Sequence, residues 1–137
     1  MEIAFSDINW IAIVVAVVAG QVLLTLWFTL LFGEPWAKAY GAEDRAAHTK
    51  AVPGSVYGVG LACMVLLVIG TELLHQAAGI TNLGGGLIFG LIAALAYGIA
   101  TVLPGYCFLL KADAGRLAAG SQATAILVVS VILSAFG

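Results

Sequence analysis

The sequence predicts an all-α fold, an integral membrane four-helix bundle with short connectors, and three observations lead to this prediction. The 137 residues are 63% apolar and only 9% charged, and their mean hydropathy is +1.14. A soluble domain carries roughly 25% charged residues, so this chain has too few charges to cover a surface in water. Its apolar residues form four runs, and each run reaches the ~20 residues that a helix needs to cross a bilayer. We therefore expect residues 1–137 to form a single transmembrane domain.

The first predicted span covers residues 8–31 and carries an aromatic ring near each end. Trp10 lies at its start and Trp27 near its end, as expected of side chains that anchor a helix at the two membrane interfaces. Gln21 and Thr25 lie four residues apart and so share one helix face. A buried amide needs a hydrogen-bond partner, so we expect that face to point into the bundle.

The connector after the first span, residues 33–52, is the most densely charged part of the chain. Pro35 suits the first turn of a short helix, which places Trp36 and Tyr40 one turn apart and facing the membrane surface. Aromatic and basic side chains are common at a membrane edge, so their presence here does not by itself indicate a binding site. We interpret this segment as a solvated connector with an interfacial anchor, in preference to a dedicated ligand-binding loop.

The second predicted span covers residues 53–74, with Gly54 and Gly58 four residues apart as candidate helix-packing positions. At its far end Glu72 and His75 lie one turn apart, a spacing at which a carboxylate and an imidazole can share a proton or a metal ion. The alternative is that the span has reached the lipid headgroups, where polar side chains are tolerated. The polar residue Gln76, which follows His75, favours this alternative. Glu72 and His75 therefore remain a weak candidate metal site.

The third predicted span covers residues 83–103 and has a stripe of small residues at every fourth position: Gly86, Gly90, Ala94 and Gly98. Such a stripe lets another helix backbone approach closely, which is how helices associate in lipid. We interpret it as the packing spine of the bundle. Pro104 follows the span, so the helix either kinks there or ends. The Tyr97 hydroxyl, at lipid depth, is a candidate partner for Gln21.

The fourth predicted span covers residues 117–136. Its Ser130 and Ser134, four residues apart, are interpreted as helix-contact groups, because no Ser-His-Asp or nucleophile-elbow pattern surrounds them. Gln122 lies near the start of the span. A polar path between the helices is one interpretation of the mid-span polar residues, and ordinary interhelical hydrogen bonding is the alternative; the path candidates are Gln21, Thr25, Tyr97 and Gln122.

The basic residues predict an orientation. All five lie in the first and third connectors: Lys38, Arg45, Lys50, Lys111 and Arg116. Positive charge in short loops marks the cytoplasmic side, so we expect both termini to face away from the cytoplasm, in a multi-pass protein of a bacterial inner membrane. The residues before the first span are acidic, so we expect no cleavable signal.

Several functional classes are disfavoured by what the sequence lacks. No span has a charge near its midpoint, which argues against a proton-coupled exporter with a central carboxylate and against an anion pore lined by basic residues. The sequence contains no P-loop, no dinucleotide fingerprint and no basic patch suited to nucleic acid. We expect neither an enzyme nor a cofactor.

A pattern in the first third of the chain resembles a known family. It consists of an Asn-Trp start, a Trp-Phe pair and a Phe-Gly segment followed by Trp, at the residues Asn9, Trp10, Trp27, Phe28, Phe32, Gly33 and Trp36. These residues resemble the small bacterial four-span membrane proteins catalogued as domain of unknown function 1761. The resemblance implies a four-helix integral membrane protein, and it supplies no activity and no catalytic residue.

Three functions remain open from the sequence. The first is a small oligomeric channel or transporter-like bundle in the lipid bilayer, using the polar path candidates. The second is an accessory or assembly subunit of a larger membrane complex, using the small-residue stripes. The third, remote, is a metal-dependent membrane enzyme using Glu72 and His75. We expect a homo-oligomer or a larger complex, because two small-residue stripes offer more packing surface than four helices need.

Overall fold

The computed structural model describes residues 2–137 and, over that range, contains helices and no strands. After a short 3-10 turn at Phe5–Asp7, six helices follow in chain order: α1 (Trp10–Leu31), α2 (Gly33–Ala39), α3 (Arg45–Ala51), α4 (Gly54–Ala78), α5 (Leu83–Phe108) and α6 (Ala112–Phe136). The long helices α1, α4, α5 and α6 have 22, 25, 26 and 25 residues. At ~1.5 Å per residue each exceeds the ~30 Å hydrocarbon core of a bilayer. The prediction of an all-α protein with four spans is confirmed.

Side-chain caps fix the starts of three helices. The side-chain oxygen of Asn9 accepts a hydrogen bond from the backbone N–H of Ala12 at the start of α1, at 3.2 Å. Asn82 accepts one from Gly85 at the start of α5, at 2.8 Å. The first turn of a helix has backbone N–H groups without partners, and these side chains satisfy one in each case. Asp44 caps α3 in the same way.

Helix α6 is the centre of the bundle. Half of its most apolar stretch is buried, against 17–28% for the other three long helices, because α5, α1 and α4 all pack against it. The resulting core is made of small and branched apolar side chains, which close-pack without voids. Its buried members are Ile8, Ala12, Ile13, Ala16, Met64, Val68, Ala125, Val129 and Leu133.

The glycine stripe of α5 lies against α6, and all four of its positions are buried. A Cβ added to Gly98 would lie 2.9 Å from the Cα of Ala123, and one added to Gly90 would lie 3.0 Å from the Cβ of Ser130. Backbone and side chain of α6 therefore occupy the space that larger residues on α5 would need. Two backbones approach closely here, as small residues at four-residue spacing permit.

Three span limits differ from those predicted. Helix α4 continues to Ala78 and ends at Gly79, whose positive φ of 70° is typical of a glycine that closes a helix. Helix α5 passes through Pro104 and ends at Phe108. Its last turn lies against the start of α6, where a Cβ on Gly115 would be 2.6 Å from the Cβ of Tyr106. Helix α6 begins at Ala112, so Arg116, predicted to lie in the third connector, belongs to this helix.

Two stretches widen into π-helix, Trp27–Leu31 at the end of α1 and Ala94–Ile99 in the middle of α5. A π-turn adds one residue to the helix and rotates the residues that follow. In α5 the π-helical stretch includes the last two positions of the stripe, Ala94 and Gly98, and both Gly90 and Gly98 stay against α6. In α1 it precedes the connector and brings the amide of Phe32 to the carbonyl of Trp27 at 2.8 Å.

Helix α4 packs only through its second half. Met64, Val68, Thr71 and His75 are buried at three- and four-residue spacing, whereas every residue from 54 to 63 is exposed. Gly54 and Gly58 have no atom within 4 Å of an added Cβ. The packing predicted for these two glycines therefore does not occur within the chain. We call residues 54–63 the unpacked segment.

Candidate functional site

One polar network joins three helices inside the bundle. His75 of α4 is only 3% exposed and Ser130 of α6 is fully buried. The Nε2 atom of His75 lies 2.8 Å from the Oγ of Ser130, and that Oγ lies 2.7 Å from the backbone carbonyl oxygen of Gly86 on α5. The ring of Phe89 meets the imidazole edge-on, with centroids 4.9 Å apart. Helices α4, α6 and α5 are thus linked at one level.

The chemistry of the partners fixes the direction of each hydrogen bond. A backbone carbonyl can only accept, so the single hydroxyl proton of Ser130 is donated to Gly86. The Ser130 oxygen then accepts the proton on Nε2 of His75. A neutral imidazole carries one ring proton, so Nδ1 keeps its lone pair. The serine hydroxyl therefore accepts a hydrogen bond from the imidazole and donates one to a backbone carbonyl. No basic side chain accepts the serine proton.

The network corrects what the sequence suggested for His75. The interpretation we favoured has this side chain reaching out to the headgroups, whereas the imidazole is enclosed by the neighbouring helices. Glu72 does not join it: its carboxylate accepts from the amide of Gln76 at 3.5 Å. Within residues 2–137, no group of three or more His, Cys, Asp or Glu side chains is placed to hold a metal ion. Sequence reasoning missed the link to Ser130, 55 residues further on.

The end of α4 is tied to the N-terminal segment. The backbone N–H of Ala4 donates to the side-chain oxygen of Gln76 at 2.9 Å, and Ile8 is buried in the core. The segment before α1 thereby lies over the end of α4, one residue beyond His75. Gln76 therefore makes a tertiary contact with the N-terminal segment.

Two of the four polar path candidates, Thr25 and Tyr97, face away from the bundle interior. Tyr97 is 69% exposed and Thr25 is exposed as well, whereas Gln21 and Gln122 are half-buried. Among the described residues, Tyr97 and Gln21 make no hydrogen bond with each other. The structure therefore does not support the predicted Tyr97–Gln21 pair. The small-residue stripe of α5 packs against α6, and the face of α5 that carries Tyr97 points outward.

The predicted interface anchors have different environments. Trp10 is 56% exposed, as an anchor in lipid should be. Trp27 is half-buried, and its indole N–H donates to the backbone carbonyl of Leu117 at 3.0 Å. This bond joins the end of α1 to α6. Trp36 packs on Phe28, with ring centroids 4.6 Å apart, so it connects the short helix α2 to α1.

Tyr40 belongs to an aromatic cluster at the same end of the bundle. Its ring lies 4.9 Å from that of Trp36 and stacks at 5.7 Å on the imidazole of His48. Lys111 places its ammonium 4.9 Å from the Tyr40 ring centroid, within cation–π range. Burial, and then a hydrogen bond with Tyr106, raise the pKa of the Tyr40 hydroxyl to about 12. The phenol is therefore held neutral.

Comparison with known proteins gives a family and no activity. The family model described as "Protein of unknown function (DUF1761)" matches residues 11–134. No curated protein and no solved structure matches the chain. The matched region contains nearly all of the four long helices, together with His75, Ser130 and the unpacked segment. The chain belongs to the family of proteins of unknown function DUF1761.

Proposed function

We propose that this membrane protein acts without covalent chemistry, as an assembly subunit that binds another transmembrane helix through the unpacked segment of α4. The observation that carries the proposal is the contrast within that one helix. Residues 64–75 contribute regularly to the core, whereas residues 54–63 have every side chain exposed. The helix that contains both halves is long and apolar enough to cross a membrane.

The residue types of the unpacked segment support helix binding. Gly54, Gly58 and Ala62 repeat at every fourth position, so they form one narrow face with little side chain. Lipid chains are as apolar as the helix itself, and close packing is what favours a helix as a neighbour there. The same spacing on α5 is filled by α6, and here the space is open.

A second candidate is a channel between copies of the chain. It is favoured by one observation: Thr25 and Tyr97 are polar and exposed within helices that cross the lipid. In an oligomer such residues could line a passage between protomers. The core of a single copy is filled by apolar side chains such as Ala16, Val68 and Val129, so a passage would have to lie between copies.

The test is native mass spectrometry of the protein gently extracted from its own membrane. We expect the chain to be retained in a complex, and we expect Gly58→Leu to lose the partner because the added side chain fills the open face. Gly105→Leu is the matched control, since this glycine of α5 also has open space around it. A strictly monomeric wild type, or equal loss in both variants, would contradict the proposal.

The identity of the partner separates the two candidates. A different protein at fixed stoichiometry supports the assembly subunit. A complex of identical chains, combined with solute flux into vesicles that falls in Tyr97→Phe, supports the channel. Flux that is the same in Tyr97→Phe as in the wild type counts against a passage lined by this tyrosine.

A further inference from the structure

A cleft lies at the end of the bundle that holds the two basic connectors, between α2 and the first two turns of α6. It has a volume of about 410 Å³ and is lined by residues from both helices, Pro35, Lys38, Ala39, Asp113, Arg116 and Leu117. The hydrogen bond from Trp27 to the Leu117 carbonyl holds the end of α1 against this wall. We propose that the cleft binds the phosphate group of an anionic phospholipid.

The charges of the cleft suit a phosphate. Lys38 supplies an ammonium from α2 and Arg116 a guanidinium from α6, against the single carboxylate of Asp113. Arg116 and Asp113 form an ion pair of 3.5 Å, but their side chains are 73% and 83% exposed. Exposed pairs of this kind contribute little, whereas a guanidinium can bind two phosphate oxygens at once. A phosphate can therefore compete for Arg116.

A third cation lies against the same wall. The ammonium of Lys111 is 3.5 Å from the backbone carbonyl of Ala39, a residue that lines the cleft. The Tyr40 ring beneath this ammonium stays neutral, because the pKa of its hydroxyl is raised. Glu34 lies one turn before Lys38 on α2, and its carboxylate accepts from the backbone N–H of Arg45. Three cations against two carboxylates leave the local charge positive. Basic pockets between transmembrane helices are suited to anionic headgroups.

The surroundings of the cleft distinguish a lipid from a free phosphate ion. Pro35, Ala39 and Leu117 give the cleft an apolar part, which an inorganic ion does not use. Three large exposed apolar side chains, Phe108, Leu109 and Leu110, directly precede Lys111, whose ammonium lies against the cleft wall. An occupant with a charged head and hydrocarbon chains fits this combination of groups.

The test uses the purified full chain with defined lipids. Native mass spectrometry counts retained molecules of phosphatidylglycerol or phosphatidylcholine on the wild type, Lys38→Gln and Arg116→Gln. Lys50→Gln is the matched control, because Lys50 is an exposed cation of α3 on the same side but outside the cleft. We expect the wild type to retain phosphatidylglycerol in preference to phosphatidylcholine. Each cleft variant should weaken the binding of phosphatidylglycerol about fivefold, and the control should leave this binding unchanged. Asp113→Asn should strengthen it.

Three outcomes would overturn the proposal. Equal retention of the two lipids would show that the net negative charge is not recognised, because both lipids carry the phosphate and only phosphatidylcholine adds a positive choline. Equal weakening of phosphatidylglycerol binding by Lys50→Gln would indicate attraction by the overall positive charge of this surface, and not binding in the cleft. Inorganic phosphate that binds in phosphatidylcholine discs with the same dependence on Lys38 and Arg116, and displaces phosphatidylglycerol, would assign the site to a soluble anion. Asp113→Asn keeps the test decisive if Arg116→Gln fails to fold.

Discussion

The hydroxyl oxygen of Ser130 lies 2.8 Å from Nε2 of His75, and this contact joins two helices whose contributing residues are 55 positions apart. Because the same hydroxyl donates to the carbonyl of Gly86, one small side chain satisfies a buried donor and a buried acceptor on two neighbouring helices. Unpaired polar groups are costly in a lipid-facing bundle. The contact therefore favours one arrangement of α4, α5 and α6.

Removing the hydroxyl should destabilise the bundle. In Ser130→Ala the buried N–H of His75 loses its acceptor, so we expect the free energy of unfolding to fall by about 1–3 kcal/mol, measured by reversible unfolding in mixed micelles. Ser121→Ala is the matched control: it is equally buried, but its hydroxyl donates to the carbonyl of Ala118 in its own helix. Equal losses in the two variants would show that the interhelical bonds add nothing.

The stripe of α5 should not tolerate a methyl group where it meets backbone. In Gly98→Ala the new Cβ would lie 2.9 Å from the Cα of Ala123, and a backbone cannot move aside as a side chain can. Overpacking of this kind costs about 1–3 kcal/mol, again measured by unfolding. Gly105→Ala, in the same helix with open space around it, should be neutral or stabilising. A Gly98→Ala variant as stable as Gly105→Ala would refute the close approach.

Leu110 offers a stabilising substitution. It has a φ of 59°, in the left-handed region that costs a side-chain-bearing residue roughly 1–2 kcal/mol. Its side chain is 92% exposed, so little protein packing is lost in Leu110→Gly. We expect that variant to raise the free energy of unfolding by about 0.5–1 kcal/mol. Leu109→Gly, at a φ of −80°, should instead lower it, and the same sign in both would contradict the argument.

Tyr40 should titrate late. Burial, and secondarily the hydrogen bond with Tyr106, raise its pKa from 10.0 to about 12. The folded state therefore holds this proton more tightly than the unfolded state, and the resulting stability, present below pH 10, is lost as the pH rises towards about 12. Phenolate absorbance measures the ionisation. Tyr106→Phe should lower the midpoint pH of the Tyr40 ionisation part of the way towards 10.0. Tyr40→Phe should remove the ionisation step at the highest pH. An unchanged titration curve in Tyr40→Phe would show that another tyrosine titrates last.

The candidate site could be predicted in part. The sequence singles out His75, because an imidazole at the end of an apolar span is unusual, and it points to Ser130 as a helix-contact group. It pairs His75 with Glu72, however, since only neighbours along one helix can be read from spacing. The true partners lie on other helices, and the rotation of those helices about their axes decides which residues meet.

By itself the sequence determined the class, the four spans, the small-residue face of α5 and the family. These follow from local properties, because hydropathy and residue size can be read along one segment at a time. Only the tertiary structure decided that α6 is the centre, that His75 is buried, that Tyr97 faces outward and that half of α4 has no neighbour. The physical reason is that lipid is as apolar as the bundle interior. Inward and outward faces of a membrane helix therefore carry the same kinds of residue, and only the packing of the other helices distinguishes them.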